Sequence, residues 1–353
     1  MDKFVFLTIL FFILILSAHI FLKFVYNNKK PFNPAYMTTL ESHSKEKNFP
    51  FRYFTDSSGK VVPLVAVTSF FRDDAAQKKY QEYVKNGIPI IGITAYKSFP
   101  KPIKDGSADD YTGDQKFDYT GEIRDWLCCF SDPSEYGFTA ANNLIEMSES
   151  DFYDADPDNT PPTKKKYDVI YSCPNDDKSK CPADGWNAVN RNYELAAKCF
   201  PIMINTYGLN VLVVGRTNCG LEEKYGKRIE TVDFLPFHEF QQKLRESKIL
   251  FVPNIADASP RVVAEAMIKD VPVLMNKNIM GGSKYIVDET GEFFTDETDV
   301  AQAIERMLNS EKTPRKWWKA NYSVKSSSVK LHKFVADAYP GRFDDVEEIK
   351  FIL

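Results

Sequence analysis

The feature that most limits this chain is a regular alternation of short apolar runs and amphipathic segments between residues 167 and 308. Residues 167–172, 211–216, 231–235, 249–252 and 271–275 read as strands. Residues 189–207, 237–247 and 298–308 read as helices, with a short one at 284–287. Strand–helix alternation implies crossover connections and a parallel sheet, so this half is expected to be a doubly wound α/β domain. Ligands of such sheets sit outside the carboxyl ends of the strands. Arg216, residues 254–257 and residues 276–282 all fall at those ends.

One strand end carries the chemistry. Residues 251–267 read as the end of a buried strand, a short loop and a helix start. Ser259 suits the N-cap and Pro260 the first helical position. The amides of Arg261 and Val262 would then lack an intrahelical acceptor, and the Arg261 charge beside them makes an anion site. Asp257 precedes Glu265 by eight residues. A phosphate cradle between two carboxylates suits a nucleotide sugar, with an anionic diphosphate and hydroxyls at both ends. Plainer readings stand beside this one. Arg261 and Glu265, four apart, could form a surface pair worth about 0.3 kcal/mol. Asp257 could be a loop cap, Arg216 a surface residue, and Gly281-Gly282 a tight turn. Trp186, Trp317 and Trp318 read as core, and His238 as a helix opener without a catalytic role.

The first half carries a shorter α/β pattern. Residues 61–67 and 88–93 read as strands around a helix at 72–86, with Asp73 and Asp74 in its first turn. Beyond residue 96 the pattern weakens, and only 123–130 reads as a strand. The Asp154-Ala155-Asp156-Pro157-Asp158 run follows the polar Ser148 to Asp151 rather than an apolar strand, so it reads as a solvated inter-domain linker and not a metal site. Residues 315–339 read as helical and are expected to cross back to the first domain.

Residues 4–21 are almost continuously apolar, enough to span a bilayer core. The expected organisation is a membrane anchor at 1–26, a linker at 27–50, a shorter α/β domain at 51–163, a doubly wound α/β domain at 164–310 and a helical extension at 311–353. Lys3 before the run and Lys23, Lys29 and Lys30 after it place the globular part on the cytoplasmic side, with the luminal side left open. Asn321-Tyr322-Ser323 is a single glycosylation triplet. The six cysteines form no paired CxxC pattern and read as mostly buried thiols in a reducing compartment, with no metal site. A net charge of −4 gives no electrostatic reason to expect nucleic acid as a partner.

Asp257 and Glu265, the following Ala266-Met267, the strand at 271–274, Gly281-Gly282 and residues 287–293 together resemble the donor half of GT-B glycosyltransferases, above all the retaining family 4 (glycosyl transferases group 1). The resemblance covers roughly residues 167–308. The whole chain, including residues 68–72 and 93–97, is also similar to glycosyltransferases of large algal viruses. The resemblance implies two Rossmann-like domains, the first short, and a nucleoside-diphosphate-sugar co-substrate with no cofactor or metal. It implies a glycan, glycoprotein or lipid-linked acceptor and transfer with retention. It assigns the nucleotide ribose to Glu265 and the donor sugar hydroxyls to Asp257, where the family has Glu. The family's diphosphate-binding Arg and Lys are replaced here by Ser172-Cys173 and Asp184. Lys178, Lys180, Arg191, Arg216 and Arg261 are the substitutes available, with Arg216 and Arg261 preferred by their strand-end positions. Ser259, Val262, Gly281 and Gly282 complete the expected donor site. A non-catalytic nucleotide-sugar or glycan-binding protein is the alternative, and a sugar-nucleotide epimerase a third reading.

Overall fold

The computed structural model describes residues 30–46, 48–94, 97–101, 116–161, 163–177 and 180–352. The expected anchor, residues 1–26, and Lys178 lie outside them. Among the described residues no helix is long and apolar enough to cross a membrane.

The stretch read as a linker at 27–50 folds from Pro34 onward. A 3-10 turn at Pro34–Tyr36, capped by Asn33, leads into α1 at Met37–Glu46. Tyr36 and Leu40 are buried in the cluster that holds Phe51, Tyr53, Tyr80 and Tyr83. Those few apolar side chains dock an otherwise polar segment, which composition alone reads as loose.

The first sheet contains β1 Phe51–Thr55, β2 Val61–Val67, β3 Ile90–Ile93, β4 Asp125–Cys128 and β5 Asn143–Glu146, with α2 Asp74–Lys85 between β2 and β3. β2 to β5 run parallel in chain order, whereas β1 pairs antiparallel with β2. Neither β1 nor β5 was expected. β5 is an edge strand, half-buried along most of its length, and lacks the apolar run of its neighbours.

The second sheet is wholly parallel, in the order β11-β10-β9-β6-β7-β8. Its strands are β6 Tyr167–Ser172, β7 Val211–Val214, β8 Ile229–Val232, β9 Ser247–Val252, β10 Val273–Asn276 and β11 Gly291–Phe294. The order reverses between β6 and β9, the switch point at which ligands of such sheets bind. Its helices include α3 Trp186–Asn190, α4 Tyr193–Pro201, α5 Phe237–Arg245, α6 Arg261–Met267 and α7 Val300–Asn309, with a further short one at Leu221–Tyr225. The single helix expected over 189–207 is broken at Asn192, whose backbone is left-handed at φ 48. Its side-chain amide donates to the Pro253 carbonyl at 3.0 Å and holds the break against the end of β9. Both sheets match the expected pair of Rossmann-like domains.

The chain joins the domains twice. The first crossing, around residues 153–158, is solvent-exposed at Asp154, Pro157 and Asp158, as a linker is, but is also pinned by ion pairs. Asp156 pairs with Arg245 at 2.6 Å and Lys269 at 3.6 Å, and Asp158 with Lys319 at 2.7 Å. The second lies between α8 Pro314–Asn321 and α9 Val324–Ala338, where one continuous helix was expected. The Trp318 indole donates to the Tyr153 carbonyl at 2.8 Å, and the Val324 amide to Asp154 Oδ1 at 2.9 Å, so the crossings lie side by side. α9 does return to the first domain, burying Leu331 and Val335 with Phe54 and Leu64. The chain then adds β12 Lys350–Phe351 antiparallel to β1.

Candidate active site

A cleft of about 600 Å³ opens at the carboxyl ends of β6 and β9. Ser172 and Val252 mark those strand ends in its wall, and Lys97 of the first domain and Tyr153 of the first crossing also line it. Its volume suits a ligand larger than a single sugar. Asp257, Ser259, Arg261, Val262 and Glu265, all named from the sequence, line this one cleft.

Glu265 is buried one turn inside α6. The Gln241 amide of α5 donates to its Oε2 at 2.8 Å. Burial raises its pKa, while the Gln241 hydrogen bond and the charges of Lys269 and Arg261 pull the other way. Arg261 is exposed in the cleft and forms no ion pair with Glu265, so the surface-pair reading does not describe α6. A carboxylate whose pKa is raised by folding opposes folding at every pH above its ordinary value, because the folded state binds the proton more tightly. Glu265→Gln is therefore expected to leave the melting temperature at pH 7 unchanged or raised. A ligand that donates a hydroxyl to Glu265 should bind about tenfold more weakly to this variant, since a hydrogen bond to a charged acceptor is lost. Titration calorimetry and a thermal melt of the same variant check both halves.

Asp257 is tied in place. Its Oδ2 pairs with Arg191 Nη1 and accepts from Asn254 Nδ2 at 3.2 Å, and its Oδ1 accepts from the Ser259 amide at 3.2 Å. Arg191 follows α3 and lines the same cleft. The sequence offered it only as one of five cations. Its pairing with Asp257 spans 66 residues and depends on β6 and β9 being neighbours.

Three expectations change. Ser259 does not cap α6. Pro260 occupies the cap position, no side chain bonds the free amides there, and Ser259 Oγ instead meets Ser150 Oγ at 3.3 Å across the domain seam. Arg216 is fully buried and absent from the cleft wall. Gly215, at φ 98, turns the chain, and Arg216 runs beneath the loop after β6, meeting Cys173 Sγ, the Pro182 carbonyl and Asp176. Gly281 and Gly282 lie behind the Asp257 loop rather than in the cleft. The amides of Met280 and Gly281 donate to the carbonyls of Ile255 and Asp257, each at 3.0 Å, and Gly281 bridges Phe130 of the first domain.

Other features were missed. Trp186, expected in the core, is 48% exposed at the cleft, as are Phe234 at 66% and Phe237 at 65%. Three aromatic faces around one mouth offer a platform for a planar ring. Trp318 is fully buried, and His238 is exposed, 3.8 Å from Glu239. Cys181 and Cys219 form a disulfide, contrary to the reading of unpaired thiols, because the loops after β6 and β7 meet at the sheet's rim. Cys128, Cys129, Cys173 and Cys199 are free and buried. Among the described residues no group of three or more His, Cys, Asp or Glu is placed to hold a metal ion.

Residues 185–310 match the family of glycosyl transferases group 1. No curated protein matches the chain. Among solved structures, a glycosyltransferase from Rickettsia africae aligns with TM-score 0.54 at 12% identity, covering 89% of this chain and 84% of that one. Sucrose-phosphate synthase from Thermosynechococcus elongatus aligns with TM-score 0.50 at 15% identity, covering 78% and 74%. The pneumococcal O-GlcNAc transferase GtfA aligns with TM-score 0.51 at 11% identity, and 56% of its length is covered. The match lies over the cleft-bearing domain and the fold likeness over both domains, so this chain carries a group 1 glycosyltransferase domain, residues 185–310, within a GT-B fold.

Proposed function

We propose that the chain transfers a sugar, with retention and without a metal, from a nucleoside-diphosphate donor to a glycan, glycoprotein or lipid-linked acceptor, and that residues 4–25 hold it to a membrane. The observation that carries the donor reading is the meeting of Glu265, Arg261 and the Arg191–Asp257 pair in one cleft at the switch point of a parallel sheet. Glu265 accepts the ribose hydroxyls. The exposed aromatics hold the base. Arg191 and Arg261 neutralise the charge that grows on the leaving diphosphate, which is the interaction that lowers the barrier. Asp257 faces the donor sugar. GtfA, a similar fold, was solved with UDP and GlcNAc, which supports the donor class.

A second reading, a nucleotide-sugar binder without turnover, is favoured by one observation: every oxygen of Asp257 already has a partner. A melting screen with uridine, guanosine and adenosine diphosphates tests the pocket. At a hundred times Kd a ligand adds about 2.7 kcal/mol of stability, so one nucleotide is expected to raise the melting temperature by several degrees. Turnover of the matching donor sugars then separates the readings. Binding with no transfer or hydrolysis of any donor would remove the enzyme assignment, and no shift with any diphosphate would remove the donor site.

A further inference from the structure

Arg191 is held in the cleft from behind by a polar clamp that the donor site itself does not use. α3 has five residues and buries only Ala188 and Asn190, with Trp186 and Val189 exposed. So short a helix has little stability of its own, and little core packing to fix it.

Asp176 supplies what packing does not. Its Oδ1 accepts from the Asn187 amide at 2.7 Å and Asn187 Nδ2 at 3.0 Å. Its Oδ2 accepts from the Ala188 amide at 3.2 Å and Arg216 Nη2 at 3.1 Å. The carboxylate lies so close to the chain that a Cβ on Gly185 would stand 2.3 Å from Oδ2. Arg216 anchors the carboxylate in turn. Its Nε donates to Cys173 Sγ at 3.2 Å and its Nη1 to the Pro182 carbonyl at 2.9 Å, while its guanidinium covers the Tyr193 ring at 4.7 Å. The Cys181–Cys219 disulfide joins the same two loops. At the far end of α3 the Tyr171 hydroxyl donates to the Arg191 carbonyl at 3.0 Å, which leaves the Arg191 side chain aimed at Asp257.

We propose that Asp176, backed by the buried Arg216, is a positioning residue for the transfer reaction: it fixes α3 and so sets the Arg191 guanidinium against Asp257 and the donor diphosphate. The proposal rests on the donor-cleft reading. Arg216, first expected to touch the donor, acts on it only through Asp176 and α3. A misplacement of a catalytic cation by about 1 Å is enough to cost roughly a hundredfold in rate.

A double-mutant cycle between Asp176→Asn and Arg191→Ala tests this, with kcat and KM measured for the donor that turns over. In the parent chain Asp176→Asn is expected to lower kcat/KM about tenfold or more, mostly in kcat. In the Arg191→Ala background the same change should cost less than about twofold, because the residue it acts through is gone. Equal losses in both backgrounds overturn the proposal, as does parent-like kcat/KM in Asp176→Asn alone. Should Asp176→Asn fail to fold, Asn187→Ala removes one donor from the carboxylate at a half-exposed position and is read in the same two backgrounds, with a smaller loss expected to vanish without Arg191. If the parent chain binds no nucleoside diphosphate and turns over no donor, the donor-cleft reading itself has failed. That outcome is separate from additivity in an active enzyme.

Discussion

Arg191→Ala is expected to lower donor kcat/KM by about a hundredfold or more while leaving the fold in place. Removing one preorganised donor aimed at developing charge typically costs 10²–10³ in rate. Stability should hardly change, because the Arg191 side chain is one-third exposed and exposed ion pairs contribute about 0–1 kcal/mol. Asp257 also keeps Asn254 and the Ser259 amide as partners. Arg191→Lys separates charge from shape. It retains the positive charge but loses the planar fork, so it should recover only part of the loss. Steady-state kinetics beside a thermal melt decides the matter. Activity within twofold of the parent in Arg191→Ala would leave Arg261 as the diphosphate's cation.

The largest structural effect is expected at Gly281. A Cβ there would lie 1.9 Å from the Ala258 carbonyl oxygen and 2.2 Å from that of Cys129. Both are backbone atoms, and they belong to the two domains, so no side-chain rotation relieves the contact. Gly281→Ala should therefore push the domains apart and lower unfolding stability by about 3 kcal/mol or more, the range of severe overpacking. Gly220→Ala is the control. Its backbone is left-handed at φ 63 and ψ 23, and an added Cβ would come no nearer than 3.7 Å to a neighbouring atom, a Glu223 carboxylate oxygen. It should cost only the left-handed backbone term, about 1–2 kcal/mol. Urea unfolding of the two variants gives the comparison. Equal costs would mean that the Gly281 seam yields more easily than its backbone contacts imply.

What could be read from the sequence follows from where each signal resides. β6, β7, β9 and β10 are buried on both faces, so their apolar runs are continuous and visible. The Asp257 to Glu265 segment was legible because strand end, loop and helix are contiguous. The partners of that segment were not. Arg191 and Gln241 reach it only through the packing of α3, α5 and α6 around one switch point, and no local pattern records this. Arg216 shows the limit of strand-end reasoning: it locates a backbone but not the direction of a side chain, and here the side chain goes inward after the turn at Gly215. Residues 34–46 were misread for a related reason. Their polarity is real, but two buried side chains, Tyr36 and Leu40, are enough to dock the segment on a finished sheet.

The paired crossings have a mechanical meaning. Two bodies tied by one flexible strand can tumble, whereas two tied by a pair of adjacent, mutually bonded strands keep mainly one soft rotation, as a door does on two pins. Here the pins are residues 153–154 and 322–324, coupled through Asp154 and Trp318. Twisting and sliding of one sheet past the other would break those hydrogen bonds, so both are stiff. The bridge between Phe130 and Gly281, with the Ser131 amide donating to the Met280 carbonyl at 2.8 Å, acts as the latch on this door. Side chains beside it close the same edge, with Lys284 pairing with Asp151 at 2.8 Å and Ser131 Oγ meeting Ser283 Oγ at 2.6 Å, so the door rests shut. One loop, residues 280–283, therefore both holds the seam and backs Asp257.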